Sequence, residues 1–253
     1  MDIMITLVIA ALTCGAGIAG LYVQKVLPDE HKSDASRGTL QQVAGLVTLL
    51  LALVLGTVIG VSYGFFSTQR SELEAFSAQL LQLDQALAQY GPETQPARAQ
   101  LKDSIVRGYE LFWGGGNADA SSLTVANPLA RMQAMNAYLG TLEPKTDAQK
   151  QAVGKAGQYV GLVTQSRLLM SLQVASRPVS WPLLSVLVFW AVALFFAFGI
   201  LSRINATVVT ALAFGACSVA FAMFLILELG QPYTGLFRVS PAALQQTIEF
   251  LDK

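Results

Sequence analysis

The stretch VAGLVTLLLALVLGTVIGVSYGFF, residues 43–66, decides the fold of this chain, and it contains no charged side chain. A helix rises about 1.5 Å per residue, so roughly 20 apolar residues cross the ~30 Å hydrocarbon core of a bilayer. Backbone N–H and C=O groups surrounded by lipid must find partners within their own segment. The stretch is therefore predicted to be a transmembrane helix.

Three further runs have the same character, at residues 3–23, 183–201 and 206–229. Glu228 is the one charged side chain inside any of the four. Asp2 precedes the first run without a Lys or Arg, which favours a retained helix over a cleaved signal peptide. The sequence thus predicts an integral membrane protein with four transmembrane helices, embedded in a lipid bilayer.

The composition agrees with this class. The chain has 253 residues, of which 53% are hydrophobic and 13% charged, against ~25% charged in a soluble domain. Its 16 Lys and Arg balance its 16 Asp and Glu, and no basic run carries interleaved aromatic residues. Nucleic acid is therefore not expected as a partner.

A long polar insert, residues 67–180, separates the second and third runs and is large enough to fold as a domain. Its first part has apolar residues in alternating steps of three and four, which is a helical seam. We expect this helix to continue from the second span and to stop at Gly91-Pro92. The seam residues are Leu73, Phe76, Leu80, Leu83, Leu87 and Tyr90.

Three more helices are predicted in the insert, because their apolar residues also recur at helical spacing. A short amphipathic helix follows Ser240 and Pro241 in the tail, to pack on the insert or lie at the membrane interface.

No segment alternates like a strand, so the fold class is all-α. The domain boundaries are 1–66, 67–180, 181–230 and 231–253. The expected inward residues are Leu101, Ile105, Gly108 and Phe112, then Leu129, Met132, Met135 and Leu139, then Val153, Val160, Val163 and Leu169, and in the tail Leu244, Ile248 and Leu251.

Small residues recur every four positions in the second span, at Ala52, Gly56, Gly60 and Gly64. In lipid, such ridges let helices approach closely and associate. One interpretation is contact with the other spans of the same chain, where Gly15 and Gly20 of the first span and a run of alanines in the fourth offer matching surfaces. The other is contact between protomers, or a face that lines a pore. The long seam of the insert modestly favours a homo-oligomer.

Glu228 is the candidate for ion contact or gating, because an acid within a span is costly and often functional. Its place near the end of the fourth span also allows a structural interfacial acid. The other spans lack Asp, Glu, Lys, Arg and His altogether. That absence argues against a coupled transporter and leaves a passive pore possible.

Enzymatic residues are not apparent, and no catalytic residue is assigned. The single histidine, His31, lies in an acidic loop that is better interpreted as solvated than as a metal site. No nucleophile-and-base pattern and no phosphate-binding motif is present. We therefore expect a protein that is not an enzyme and that holds no metal and no cofactor.

Part of the chain resembles a bacterial family of membrane proteins called bestrophin-like, whose function is unassigned. The resemblance spans about residue 26 to the C-terminus. One departure is Gly230, where the family usually carries an acid two residues after the glutamate. The matching segments are Leu80–Asp84, Tyr90–Glu93, Ala97-Arg98, Gln165–Leu169, Phe189-Trp190, Phe198-Gly199, Asn205–Val208, Leu225–Leu229, Pro232–Leu236 and Val239-Ser240.

The family name implies kinship to bestrophins, which are oligomeric anion channels with helical cytosolic domains. As a fold-level analogy, this implies an oligomeric, ion-permeable protein of the bacterial inner membrane. Positive charges near the span ends do not decide the orientation, and the analogy favours a cytoplasmic insert and termini. The alternative is a non-conducting scaffold or sensor whose insert binds a protein partner through Leu73–Tyr90 or the tail helix.

Overall fold

The structure, a computed structural model, describes residues 2–28, 34–114, 126–175 and 179–251, and the regular structure in these ranges is helical. The predicted all-α fold is confirmed. The elements are α1 (Asp2–Val26), α2 (Asp34–Tyr90), a 3-10 turn (Pro92–Thr94), α3 (Gln95–Trp113), α4 (Ala126–Gly140), α5 (Asp147–Ala175), α6 (Trp181–Leu201), α7 (Ala206–Leu229) and α8 (Ala242–Leu251).

The chain forms two compact units. The first, called the membrane unit, comprises residues 1–65 and 178–230. The second, called the insert unit, comprises residues 66–177 and 231–253, so the tail belongs with the insert. Helices α1, α2, α6 and α7 are each long and apolar enough to cross a membrane.

In the membrane unit, α1 packs along α6 and also contacts α7. A core of large aliphatic side chains joins α6 and α7 to the buried side of α2. On α2 this core uses Leu51 and Val58, and on α7 it uses Met223 and Ile226. Large apolar side chains are exposed on the outer surface of the membrane unit, as expected of helices that face lipid.

Helix α2 is continuous through the end of the second apolar run, as the sequence predicted, and ends at Tyr90. Its buried residues follow a period close to 3.5 from the membrane unit into the insert unit, which extends the seam predicted for Leu73–Tyr90. The buried positions are Ala44, Leu51, Val58, Ser62, Gln69, Leu73, Ser77, Leu80, Leu83, Asp84, Ala86, Leu87 and Tyr90.

The stop after Tyr90 has a local cause. Gly91 adopts a φ of 130°, which side chains other than glycine rarely accept. The hydroxyl of Thr94 then donates to the carbonyl oxygen of Leu87 at 2.5 Å, and Thr94 is fully buried. The turn thereby satisfies one of the last carbonyls of α2 and directs the chain into α3.

The core of the insert unit is built from one face of each of its helices. Leu101 and Ile105 of α3 are buried as predicted, and so are Met132, Met135 and Leu139 of α4. The tail helix α8 packs on this core through Leu244, with Ile248 and Leu251 beside it. Ser240 accepts a hydrogen bond from the N–H of Ala242 at 3.3 Å, at the start of that helix.

One core prediction for α5 is wrong, since Leu169 is 45% exposed. The buried face of this helix instead carries Ala152, Ala156, Val160 and Val163. These positions advance by four, four and three residues, so the face passes beside Leu169 rather than through it. The side chain of Leu129, also predicted to point inward, lies outside the described residues.

A bidentate ion pair joins α2 to α3 within the insert unit. Arg98 Nε lies 2.7 Å from Asp84 Oδ1, and its Nη2 lies 2.8 Å from Asp84 Oδ2. Asp84 is 6% exposed. The hydrogen bond to Asp84 raises the pKa of Arg98 above its usual range, against the opposing effect of burial. Two parallel charge-assisted bonds of this kind fix the relative rotation of the two helices.

Candidate functional site

Glycines of α1 and α6 bring the backbones of these two helices into close contact in the membrane unit. A Cβ atom on Gly20 would overlap the carbonyl oxygen of Phe196 and lie 2.9 Å from the Cα of Gly199. A Cβ atom on Gly199 would likewise overlap the carbonyl oxygen of Gly17. Small residues therefore do bring two spans together, but the spans are α1 and α6.

The ridge of small residues on α2 makes no such backbone contact with another described span. A Cβ atom at Gly56, Gly60 or Gly64 would meet no atom outside its own helix within 4 Å. A helix turns ~100° per residue, so Gly56 and Gly60 lie opposite Val58, on the far side from the buried stripe. Within the described residues, these glycines make no close contact with the other spans of the same chain. A role at a subunit contact or a pore stays a prediction.

Glu228 lies in the last turn of α7 and is 4% exposed. The backbone carbonyl oxygens of Glu228 and Ile226 both accept a hydrogen bond from the N–H of Gly230. The side chain of Glu228 is thus buried within the membrane unit and is not exposed on its surface. Its role in ion contact or gating stays a prediction.

Ser62 of α2 is a candidate that the sequence analysis missed. It is fully buried in the membrane unit, and its hydroxyl has no hydrogen-bond partner among the described residues. A buried hydroxyl left unpaired costs free energy, unless a water molecule or an ion binds it. Its sequence signal was its place one turn after Val58, on the buried stripe.

A polar cluster lies in the insert unit, where α2 leaves its apolar run. The amide nitrogen of Gln69 donates to the side-chain oxygen of Gln173, whose own amide donates to Glu72 at 2.8 Å. The hydroxyl of Tyr233 donates to Gln69 at 3.3 Å, and burial, with a smaller contribution from Glu72, raises the pKa of Tyr233. Sequence reasoning missed this cluster because its members come from three segments, around residues 69–72, 173 and 233, that are far apart along the chain.

No group of three or more His, Cys, Asp or Glu side chains suited to a metal occurs in the part of the chain that the structure describes. His31 lies outside the described residues. Among the described residues, the cluster around Gln69 presents carboxamide, hydroxyl and carboxylate groups that bond one another.

Four membrane-length helices with a helical insert between the second and third define the class: a multi-pass integral membrane protein with a helical domain outside its apolar spans. The bestrophin-like domain matches residues 11–244 of the chain. The protein belongs to the bestrophin-like family, as its motifs suggested. No curated protein and no solved structure matches the chain.

Proposed function

We propose that this protein is a homo-oligomeric, ion-permeable membrane protein in which the glycine face of α2 meets another protomer or lines the pore. The observation that carries the proposal is the open space beside Gly56 and Gly60. Family membership and the four spans support it.

The physical argument concerns what covers a face of glycines in lipid. Helices in a bilayer associate through close backbone contact at small residues, because lipid chains are as apolar as leucine. The close contact of Gly20 with Gly199 is made between two helices of the same chain. No other described part of the chain covers this face of α2, so a second copy or an aqueous path is the neighbour that would gain from small residues there.

The proposal gives Glu228 the role of a fixed negative charge that ions sense. A carboxylate enclosed near the end of a span acts on permeating ions at short range, where water screens it weakly. The proposal assigns no catalytic residue, cofactor or metal. It puts the protein in the bacterial inner membrane, with the insert and both termini in the cytoplasm.

The alternative function is a non-conducting scaffold or sensor. The surfaces first expected to bind its partner are taken up within the insert unit, since Leu73, Leu83 and Tyr90 are buried and α8 packs on the same core. Exposed leucines on α5, at positions 168, 169 and 172, favour a partner contact there instead. Ion flux separates the two functions, because a scaffold passes no ions.

Gly60→Leu is expected to convert the oligomer to smaller species and to lower ion flux into liposomes at least tenfold. A leucine separates backbones that otherwise touch, or fills a narrow pore. Mass photometry in detergent and a dye-based flux assay on the same preparation measure both effects. Gly154→Leu, at an exposed glycine of α5 that has open space and lies outside the four spans, serves as the control. A wild-type oligomer that passes no ions in any flux assay would contradict the proposal.

Glu228→Gln is expected to shift the reversal potential, under a salt gradient, toward the anion equilibrium potential. Removing a negative charge beside the path lowers the relative permeability of cations. Glu74→Gln is the control, since Glu74 is exposed and paired with Arg70 at 3.0 Å. An unchanged reversal potential together with a lower melting temperature would identify Glu228 as a purely structural acid.

A further inference from the structure

An apolar cavity lies within the insert unit. Helices α2, α3, α4, α5 and α8 all contribute to its wall, which is apolar over most of its area. Leu80, Leu101, Ile105, Met132 and Val163 are among the lining side chains. Such apolar walls suit an aliphatic ligand.

One cation, Arg167, lines this apolar wall. The buried face of α5 runs through Val160 and Val163, and continuing its helical step places the next residues at Arg167 and Met170. Both line the cavity. An arginine thus occupies a register position of the helix that is otherwise filled by apolar core residues.

The guanidinium of Arg167 lacks a compensating anion within the described parts of the chain. Its apolar surroundings lower the pKa of Arg167, and the nearby charge of Arg131 lowers it further. No ion pair joins Arg167 to a described carboxylate, and Glu72 accepts hydrogen bonds from Gln69 and Gln173 instead. Arg167 is partly buried. Arginine stays charged in proteins, and taking a charge out of water is costly unless an anion pairs with it.

Two other polar groups on the wall already have partners. The indole N–H of Trp113 donates to the carbonyl oxygen of Val239 at 3.1 Å, and the hydroxyl of Tyr233 donates to Gln69. The recognition chemistry that remains is one planar cation, together with the hydroxyl of Ser104, in an otherwise apolar chamber. It fits an anionic head group joined to a hydrocarbon chain.

We propose that the cavity binds a single-chain aliphatic carboxylate, with the carboxylate on the guanidinium of Arg167 and the hydrocarbon chain among the side chains of α2, α3 and α4. Met132 and Met170 adapt their flexible side chains to the chain of the ligand. This binding does not depend on ion permeation, and it holds for a channel and for a sensor alike.

Contact quenching of Trp113 by a dibrominated stearate tests the proposal on the full-length protein in nanodiscs of zwitterionic lipid. The chain has three tryptophans, and Trp181→Phe with Trp190→Phe leaves Trp113 as the only emitter. We expect saturable quenching, because Trp113 lines the cavity. Arg167→Met should raise the Kd at least tenfold, since the substitution removes a charge-assisted hydrogen bond to the ligand.

A second variant tests the space rather than the charge. Gly108 lines the cavity, and a Cβ atom there meets nothing within 4 Å. Gly108→Leu should therefore fill the chamber, improve helix propensity and lower the quenching severalfold while Arg167 remains. Arg70→Met is the matched control, because Arg70 is exposed and already paired with Glu74. It should leave the Kd unchanged.

Three results would overturn the proposal. The first is quenching of equal strength in the wild type and in Arg167→Met. The second is quenching by the neutral methyl ester of the stearate as strong as by the acid. The third is displacement of the stearate by dodecyl phosphate at a lower concentration than by laurate. This result would show that the cavity prefers a phosphate head group to a carboxylate.

Discussion

Gly20→Leu in α1 is expected to prevent the membrane unit from folding into a monodisperse species in detergent. The new side chain would begin where the backbone of α6 now lies, at the carbonyl oxygen of Phe196 and at Gly199. Backbone atoms cannot change rotamer, so the two helices must separate along their contact. Overpacking costs ~1–3 kcal/mol even where side chains can adjust, and we expect at least about 3 kcal/mol here.

Gly15→Leu is the control for this variant, five residues earlier in the same helix. Gly15 is exposed, and a Cβ atom there meets nothing within 4 Å. Size-exclusion profiles and thermal unfolding in one detergent compare the two variants directly. A monodisperse Gly20→Leu protein with the melting temperature of the wild type would show that the α1–α6 contact is not as close as described.

Arg98→Met in the insert unit is expected to lower the free energy of unfolding by about 3 kcal/mol or more. The substitution leaves the carboxylate of Asp84, which is 6% exposed, without its bidentate partner. Breaking a buried pair costs ~3–5 kcal/mol, because a buried charge then remains uncompensated. For a chain of this size the apparent Tm should fall by roughly 10 °C.

Two comparisons isolate the cause of that loss. Arg70→Met removes an exposed pair with Glu74, which is worth less than about 1 kcal/mol, and should barely change the Tm. Asp84→Leu combined with Arg98→Met removes both charges and should recover part of the loss. A double variant less stable than Arg98→Met alone would show that Asp84 acts through something other than this pair.

The sequence predicts local structure well because helices depend on nearby residues. The continuity of α2, its stop before Gly91 and the inward residues Leu101 and Ile105 all follow from spacing and turn chemistry. The same reasoning fails at Leu169, because it ranks residues by apolarity and the true face of α5 passes through Arg167. A charged residue on a core stripe is visible only once the stripe itself is known.

Contacts between helices could not be predicted to the same degree. Gly20 and Gly60 have equivalent local signals, yet only Gly20 touches another span of the chain. The difference arises from the rotation of each helix about its own axis, which depends on long-range contacts. The cluster of Gln69, Gln173 and Tyr233 is hidden for the same reason, since its members come from three distant segments.

The α1–α6 contact has a consequence for biosynthesis. Roughly 180 residues separate Gly20 from Gly199 along the chain. At a synthesis rate of ~5–20 residues per second, the ribosome needs about ten to forty seconds to cover that distance. During this interval the first helix has no glycine partner to receive it. This face of α1 therefore stays without its partner until α6 has been synthesised.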